Sequence, residues 1–229
     1  MKTLGLIGGM SWESTDLYYQ GLNREIYKRK GGLYSAPLIL ESVDFNEIAP
    51  FMKTGEWDVI AEKICTVAKR LEAAGVDAVA LTTNTVHKIA DDIQDTISVP
   101  FITIFDSTAD AIKPSKTAGL LGTLYTMSDG FYQKQMTAHS IDIVVPKEAA
   151  QKKLNALIFD EFCQGKFTED AKAYLEELAD DLIGQGAEKI ILGCTELPIS
   201  LEAETYKGCE VIDTALVHVK ALTDFITGE

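Results

Sequence analysis

The segment GVDAVALTTNTVHKIA, residues 75–90, contains a short hydrophobic run that stops at a cluster of threonine and asparagine. The run VDAVAL has the length and residue types of a buried strand, and the apolar spacing after the cluster is typical of a helix. A similar segment, GAEKIILGCTELPI, occupies residues 186–199 and has a cysteine where the first has a threonine. Each segment therefore predicts a strand, a polar turn and a helix.

The rest of the chain shows the same alternation of short strands and longer helical patterns. Ser11 is placed to cap the first helix. The predicted elements before the first polar cluster are the strand TLGLIGG (3–9), a helix from Ser11 to about Lys30, the strand APLILESVDF (36–45) and the helix EWDVIAEKICTVAKRLEAAG (56–75). A further helix is predicted from His87 to Ile97. Such alternation is typical of βαβ units and a parallel sheet.

Three pairs of segments repeat in the same order along the chain. Gly119 in AGLLGTLYT lies 114 residues after Gly5 in LGLIGGMS, and Cys194 lies 111 residues after Thr83. The third pair is FDSTADAI and IDTALVHV, whose aspartates Asp106 and Asp213 lie 107 residues apart. Similar segments that recur in the same order, with a nearly constant number of residues between the members of each pair, indicate an internal duplication. The predicted fold class is α/β, with two pseudo-symmetric duplicated domains, each a mainly parallel sheet flanked by helices.

Length and charge restrict the class of protein. A chain of 229 residues fits one large domain or two small ones, at about 150 residues per domain. The net charge of −14 opposes binding to phosphate backbones, so no nucleic-acid partner is expected. No apolar run approaches the ~20 residues that span a bilayer, and the N-terminal segment lacks signal-peptide features. We therefore expect a cytoplasmic protein without a membrane partner.

The four cysteines, Cys65, Cys163, Cys194 and Cys209, are scattered along the chain. They form no C-x-x-C pair, and the three histidines are not at metal-ligand spacing. The sequence predicts neither a disulfide framework nor a metal site.

The two polar turns are the best candidates for a binding site. In parallel α/β sheets, ligands bind beyond the carboxyl ends of the strands, where helix N-termini favour anions. Asn84 and Thr85 follow the first strand and can cap the next helix, and Thr195 and Glu196 occupy the same offsets after Cys194. Two half-domains that face each other would form a cleft suited to a small dicarboxylate or an amino acid.

Cys194 is the main candidate for chemistry. A helix N-terminus tends to lower a thiol pKa from its usual value of about 8.5, which favours a base or nucleophile. The alternative is a small buried hydrophobe, as most free cysteines are. For Cys65, Cys163 and Cys209 that alternative is the better one. His87 is interpreted as a solvated or capping histidine without a chemical role.

The motifs GLIGGMSWEST (5–15), TTNT-x-H (82–87), LGCTELP (192–198) and VIDT (211–214), in this order, resemble the aspartate/glutamate racemase family. The resemblance covers essentially the whole chain. It implies two α/β domains with the active site between them, a homodimer, and amino-acid racemisation without a cofactor. The domains would be 1–98 plus 209–229, and 99–208.

In this family two bases flank the substrate, since one base cannot easily reach both faces of the α-carbon. In most members both are cysteines, at the positions of Thr83 and Cys194. The chain resembles most closely a subgroup with the Thr/Cys pair that acts on L-aspartate or L-glutamate, with some members accepting more amino acids. The resemblance thus implies that Cys194 and Thr83 are catalytic.

The resemblance also implies which residues bind the substrate. Met10, Asn84, Thr85 and Thr195 match contacts to the α-carboxylate and amino group, and Lys166 matches the lysine that meets the side-chain carboxylate. The expected substrate-binding set is completed by Glu196, next to Thr195, and by Met52 and Tyr125 at the border of the pocket.

Three other functions are compatible with parts of the sequence. With a single thiol the chain could be a one-base decarboxylase of the same superfamily. A catalytically silent amino-acid-binding protein would keep the cleft and lose proton exchange. A nucleotide-binding α/β protein is disfavoured because IGGMS (7–11) lacks both common phosphate-binding fingerprints.

Overall fold

The structure, a computed structural model, describes residues 1–200 and 204–229. The chain divides into two compact units, residues 1–104 with 218–229 (unit 1) and residues 105–217 (unit 2). The second division lies later than the sequence-based boundary at 208/209, because residues 209–213 form a strand of the unit 2 sheet.

Short strands and helices alternate along the described chain. The strands are β1 (Leu4–Gly8), β2 (Leu38–Ser42), β3 (Ala78–Leu81), β4 (Thr117–Gly122), β5 (Asp142–Val144), β6 (Lys189–Gly193), β7 (Thr205–Tyr206) and β8 (Cys209–Asp213). The α-helices are α1 (Trp12–Lys30), α2 (Ala49–Thr54), α3 (Trp57–Ala73), α4 (Ala90–Thr96), α5 (Ile104–Ile112), α6 (Leu124–Ser128), α7 (Phe131–Ala138), α8 (Glu148–Asp160), α9 (Glu169–Gly184), α10 (Leu197–Ser200) and α11 (Thr214–Thr227). Short 3₁₀ helices cover Phe45–Glu47, Thr85–Ile89 and Phe162–Gln164.

The unit 1 sheet has the strand order β2-β1-β3, and all its pairings are parallel. Every residue of β1 and β3 is buried. Continuous burial is expected of parallel strands covered by helices on both faces. A single parallel bridge joins Val79 of β3 to Phe101.

The unit 2 sheet has the order β5-β4-β6-β8-β7, and among the pairings of the described residues only β7–β8 is antiparallel. The first three strands repeat the arrangement of unit 1, with β4 between β5 and β6 as β1 lies between β2 and β3. The predicted α/β fold class with mainly parallel sheets is confirmed.

Gly5 and Gly119, which occupy matching positions of the repeat, have the same packing role in the two units. A Cβ on Gly5 would lie 3.3 Å from Leu71 Cβ of α3, and one on Gly119 would lie 2.8 Å from Leu182 Cβ of α9. Each glycine lets a helix approach the central strand of its sheet closely. The repeat in the sequence therefore encodes a repeated contact between helix and sheet.

The first helix begins where the sequence predicts. Ser11 is the N-cap of α1, and its side chain accepts a hydrogen bond from the Ser14 N–H. The helix predicted from His87 to Ile97 is different: a 3₁₀ helix from Thr85 to Ile89 precedes the seven-residue α4. Within residues 1–200 and 204–229, no helix combines the length and apolar character needed to cross a bilayer.

Candidate active site

In unit 1, hydrogen bonds join the turn after β1 to the turn after β3. The Gly9 N–H donates to Thr15 Oγ1 at 2.8 Å, and Thr15 Oγ1 lies 3.1 Å from Thr82 Oγ1. Ser14 Oγ donates to the Thr82 carbonyl at 2.6 Å. Two side chains on the first turn of α1 thus fix both turns at the carboxyl edge of the sheet. This brings the chain around Met10, which is buried, next to the chain around Thr83.

The turn that contains Thr83 is compact and mostly buried. Thr83 is half-buried, whereas Asn84 and Thr85 are buried. The Thr83 carbonyl accepts a hydrogen bond from Nδ1 of His87 at 2.6 Å. His87 is 1% exposed, so its interpretation as a solvated histidine is wrong.

The capping role predicted for Asn84 is not observed. Asn84 is the N-cap of the 3₁₀ helix, but its side chain makes no capping hydrogen bond. Its backbone is already helical, with φ −75° and ψ −51°, whereas a side-chain cap needs an extended N-cap residue. A seven-residue helix that begins with Ala90 also has only a small dipole near this turn.

Met52 lies on α2, the short helix that follows β2, and is half-buried. Since β2 is the neighbour of β1 in the sheet, α2 begins from the same edge of unit 1 as the other two turns.

In unit 2, the turns after β4 and β6 are likewise adjacent. Gly122 and Gly193, the last residues of the two strands, are paired, and Thr126 packs against both. Tyr125 is half-buried on α6 directly after β4, and Cys194 is half-buried directly after β6. The sequence-predicted residues Tyr125 and Cys194 therefore follow neighbouring strand ends.

Cys194, Thr195 and Glu196 form a small hydrogen-bonded cluster. The Cys194 thiol donates to Glu196 Oε2 at 2.8 Å, and Thr195 Oγ1 donates to the same oxygen at 3.0 Å. One carboxylate oxygen thus accepts two hydrogen bonds, and one of them comes from the thiol.

The prediction of a lowered Cys194 pKa is wrong for this state of the protein. Burial, together with the neighbouring Glu196 carboxylate, raises the pKa of Cys194 well above its usual value. The helix that begins after the turn, α10, has four residues, so its dipole is too small to compensate. The exposed Cys163 adds to the rise. The resting state is therefore a neutral thiol beside a carboxylate.

Lys166 lies in the loop before α9 and is exposed. Its Nζ donates to Gln164 Oε1 at 2.9 Å. Within unit 2 the structure does not bring it into the Cys194–Glu196 cluster by any described hydrogen bond or ion pair.

The sequence profile of the Asp/Glu/hydantoin racemase family matches residues 7–222. The chain belongs to this family.

Similar proteins are known from several organisms. The broad specificity amino-acid racemase RacX of Bacillus subtilis is 34% identical over 146 residues, which are 63% of this chain and 63% of RacX. Among solved structures, a Yersinia pestis protein assigned to the Asp/Glu racemases is 39% identical, with a TM-score of 0.94, over 99% of this chain and all of the other. An aspartate racemase homologue from Pyrococcus horikoshii is 34% identical, with a TM-score of 0.82, over 99% and 100% of the two chains.

Sequence reasoning missed the residues that support the two turns of unit 1. Ser14 and Thr15 stand in the motif GLIGGMSWEST, but only the structure shows their bonds to Gly9 and Thr82. His87 lies four residues after Thr83, a spacing that places a side chain back over the preceding turn of a helix, and this spacing was the available signal. No pattern in the sequence around His218 indicates its role, because its hydrogen-bond partners, Tyr18 and Ile102, are distant in sequence.

Proposed function

We propose that the protein is a cofactor-independent racemase of aspartate, glutamate or both. Cys194 and Thr83 serve opposite faces of the substrate α-carbon, and neither pyridoxal phosphate nor a metal takes part. Membership of the racemase family supports the reaction class. The matching topology also supports it, since Thr83 follows β3 and Cys194 follows β6, and these strands have equivalent places in the two sheets.

The observation that carries the proposal is the hydrogen bond from the Cys194 thiol to Glu196. Only the thiolate can remove an α-proton, and the thiol has a raised pKa. Glu196 can accept the thiol proton directly, so the pair exchanges S–H···⁻O for S⁻···H–O without a change in net charge. The thiolate then takes the α-proton of the L-enantiomer and is a thiol again.

Thr83 completes inversion as a proton relay. Its hydroxyl passes a proton to the carbanion from the other face and takes one from water, since a threonine alkoxide is too basic to persist. Glu196 releases to water the proton that it took from the thiol, which balances the proton that Thr83 draws from water and resets the pair. A racemisation has an equilibrium constant of one, so kcat/KM must be equal in both directions. The asymmetry between thiol and hydroxyl therefore appears in the rate of α-proton exchange, which is faster for the L-enantiomer.

The remaining assigned residues bind the substrate. Met10, Asn84, Thr85 and Thr195 contact the α-carboxylate and amino group, Lys166 meets the side-chain carboxylate, and Met52 and Tyr125 border the pocket. In this assignment Lys166 exchanges its bond to Gln164 for one to the substrate. Glu196, assigned from sequence to substrate binding, acts instead mainly on Cys194, because it already accepts the thiol proton in the absence of substrate.

The proposal includes a cytoplasmic homodimer with an amino acid as its small-molecule ligand. Trp12, Tyr19 and Leu40 are exposed and line one shallow cavity beside the edge strand β2. Contiguous exposed apolar side chains and an open strand edge both favour association with another chain. Sedimentation analysis of Trp12→Glu tests this part, and a variant as dimeric as the wild type would contradict this surface as the contact.

The reaction is tested by incubating each enantiomer of aspartate and glutamate with the protein in deuterated water. Loss of the α-proton is followed by NMR, and inversion by chiral chromatography. We expect exchange with inversion, and faster exchange from the L-enantiomer. Exchange without inversion would contradict the role of Thr83, and the absence of exchange with any amino acid would contradict racemisation and favour an amino-acid-binding protein.

The role of Cys194 is tested with Cys194→Ser, for which we expect loss of L-substrate exchange. The matched control is Cys65→Ser, because Cys65 lies on α3 and its thiol donates to the Asp92 carbonyl at 3.4 Å, a bond that a serine can keep. Full L-substrate turnover by Cys194→Ser would contradict the proposal.

A further inference from the structure

Two buried histidines lie behind the Thr83 turn and have no part in the mechanism described above. His87 and His218 are 1% and 0% exposed, and their ring centroids are 5.8 Å apart. Burial of an imidazole is costly unless its polar atoms are satisfied, so the partners of these rings indicate what they do.

The partners of His87 define its protonation. Nδ1 faces the Thr83 carbonyl at 2.6 Å, and a carbonyl can only accept, so Nδ1 bears the proton. The backbone N–H of Ile104 donates to Nε2 at 3.1 Å, so Nε2 must present its lone pair. His87 is thus a neutral imidazole with a single allowed tautomer.

His87 therefore joins two backbone segments that are distant in sequence. One is the turn that carries Thr83. The other ends at Ile104, which is the first residue of α5 and the last residue of unit 1 before the chain enters unit 2. The bond from Ile104 determines which ring nitrogen bears the proton, and the Nδ1–H that results holds the Thr83 carbonyl.

His218 holds the same segment from another side. Its Nε2 lies 3.0 Å from the Ile102 carbonyl and so donates to it, while Nδ1 accepts from the Tyr18 hydroxyl at 2.9 Å. Burial, with a smaller effect from His87, lowers the pKa of His218 to about 3, which keeps it neutral. Residues 102–104 are thus held at Ile102 by one histidine and at Ile104 by the other.

We propose that His87 is a positioning residue for Thr83: through its Nδ1–H bond to the Thr83 carbonyl it fixes the orientation of the threonine that returns the proton during inversion. This rests on the proposed racemase function. A hydroxyl that delivers a proton to carbon must be aimed at it, and a misplacement of about 1 Å can cost a factor of ~10² in rate. The Thr83 side chain shares its residue with the anchored carbonyl, so the anchor limits how far the turn can rotate.

Two substitutions each remove one of the two hydrogen bonds of His87 and keep the other. His87→Asn keeps an N–H donor near the position of Nδ1 and loses the acceptor for Ile104. His87→Gln keeps an acceptor near Nε2 and loses the donor to Thr83. Both replace the imidazole ring with a smaller side-chain amide, so each variant controls for the packing that is lost in the other.

The measured quantity is the ratio of inversion to α-deuterium exchange with retention for the L-substrate in deuterated water. Cys194 alone supports exchange with retention, so a misplaced Thr83 lowers the ratio while exchange continues. We expect His87→Gln to lower it by a factor of about 10 to 100, and His87→Asn to stay within about threefold of the wild type. Equal ratios in the wild type and His87→Gln, or equal losses in both variants, would overturn the proposal.

A measurement on the unmodified protein keeps the proposal testable if the variants do not fold. Long-range ¹H–¹⁵N NMR spectra identify imidazole tautomers, and the chain has only three histidines. We expect the Nδ1–H tautomer for His87, and an Nε2–H tautomer or a charged ring would overturn the proposal. A wild-type protein that shows no inversion, with His87 in the expected tautomer, would contradict the proposed function and with it the role of His87 in inversion.

Discussion

At Cys194 two physical effects oppose each other. The position after a strand and before a helix favours the thiolate, whereas burial and the Glu196 carboxylate favour the thiol. The second effect dominates because α10 has one turn and Glu196 is in direct contact with the thiol. A base with this balance is protonated at rest and needs a proton acceptor, which Glu196 supplies.

Glu196→Gln should lower activity at neutral pH by a factor of about 10² to 10⁴, because an amide cannot take the thiol proton. The substitution also removes a negative charge that raises the Cys194 pKa, so the thiol ionises at lower pH than in the wild type. The loss should therefore become smaller as pH rises. Rates of L-aspartate racemisation from about pH 6 to pH 10 test this.

The control for Glu196→Gln is Glu177→Gln, which makes the same charge change at an exposed position of unit 2. Its pH profile should match that of the wild type. A constant activity loss of Glu196→Gln at every pH would contradict the assigned proton transfer.

Thr83→Ala should reduce inversion by at least about 10²-fold, because no hydroxyl remains to return a proton to the second face. Exchange of the L-substrate α-proton should continue, since it requires only Cys194. Thr83→Ser keeps a hydroxyl and should retain most of the inversion. Deuterium exchange and chiral analysis of the same samples measure both quantities, and wild-type inversion by Thr83→Ala would rule out the relay.

Among the elements, the first turn of α1 has a role beyond helix formation. Thr15 accepts the buried Gly9 N–H and also approaches Thr82, so one hydroxyl joins the ends of β1 and β3. The Thr15 hydroxyl in turn donates to the Ser11 carbonyl at 2.9 Å. The start of α1 thus stabilises the edge of the sheet at which Met10 and Thr83 lie.

Thr15→Val should destabilise the protein by about 1–3 kcal/mol, because the isosteric side chain leaves the buried Gly9 N–H without its acceptor. Urea unfolding followed by circular dichroism measures the change. Thr66→Val is the control, since Thr66 is exposed on α3 and should change stability by less than about 0.5 kcal/mol. Equal effects of the two substitutions would show that the Gly9 bond contributes little.

The elements also show what the sequence can and cannot predict. Strands such as β1 and β3 and the Ser11 cap depend on residues that are close in sequence, and their patterns predicted them. The 3₁₀ turn after Asn84 was missed because His87, bonded to Thr83 and Ile104, determines its geometry.

For the candidate residue Cys194, sequence reasoning predicted the wrong direction of the pKa shift. The direction depends on burial and on the side-chain conformation of Glu196, and neither is encoded in the spacing of the motif.

For the whole molecule, the C-terminal helix α11 is part of unit 1 from His218 onward, and its contacts make stability depend on pH. His218 is neutral in the folded state, with a pKa of about 3 against 6.5 when unfolded. The unfolded chain therefore binds one more proton as pH falls below about 6.5, and the folded state loses stability between about pH 6.5 and pH 3. The groups that face His218 are Tyr18, His87 and the Ile102 carbonyl, and none of them supplies a compensating negative charge.

The wild type should lose about 1 kcal/mol more stability between about pH 6 and pH 5 than His218→Gln, which cannot titrate. Urea unfolding at the two pH values gives the difference. Identical slopes for the wild type and His218→Gln would show that His218 is not held neutral.

The return of the chain to unit 1 has a consequence for protein synthesis. Val219 of α11 packs against Gly21 of α1, and the Lys2 N–H donates to the Ile226 carbonyl, so unit 1 is complete only when residues 218–229 have been translated. Unit 2 is one continuous stretch that leaves the ribosome before this segment does. Domains usually fold in the order of their synthesis, but here the N-terminal unit must wait with its α11-binding surface uncovered. Completion of the candidate Thr83 turn, with its histidine support, therefore has to follow the synthesis of residues 218–229.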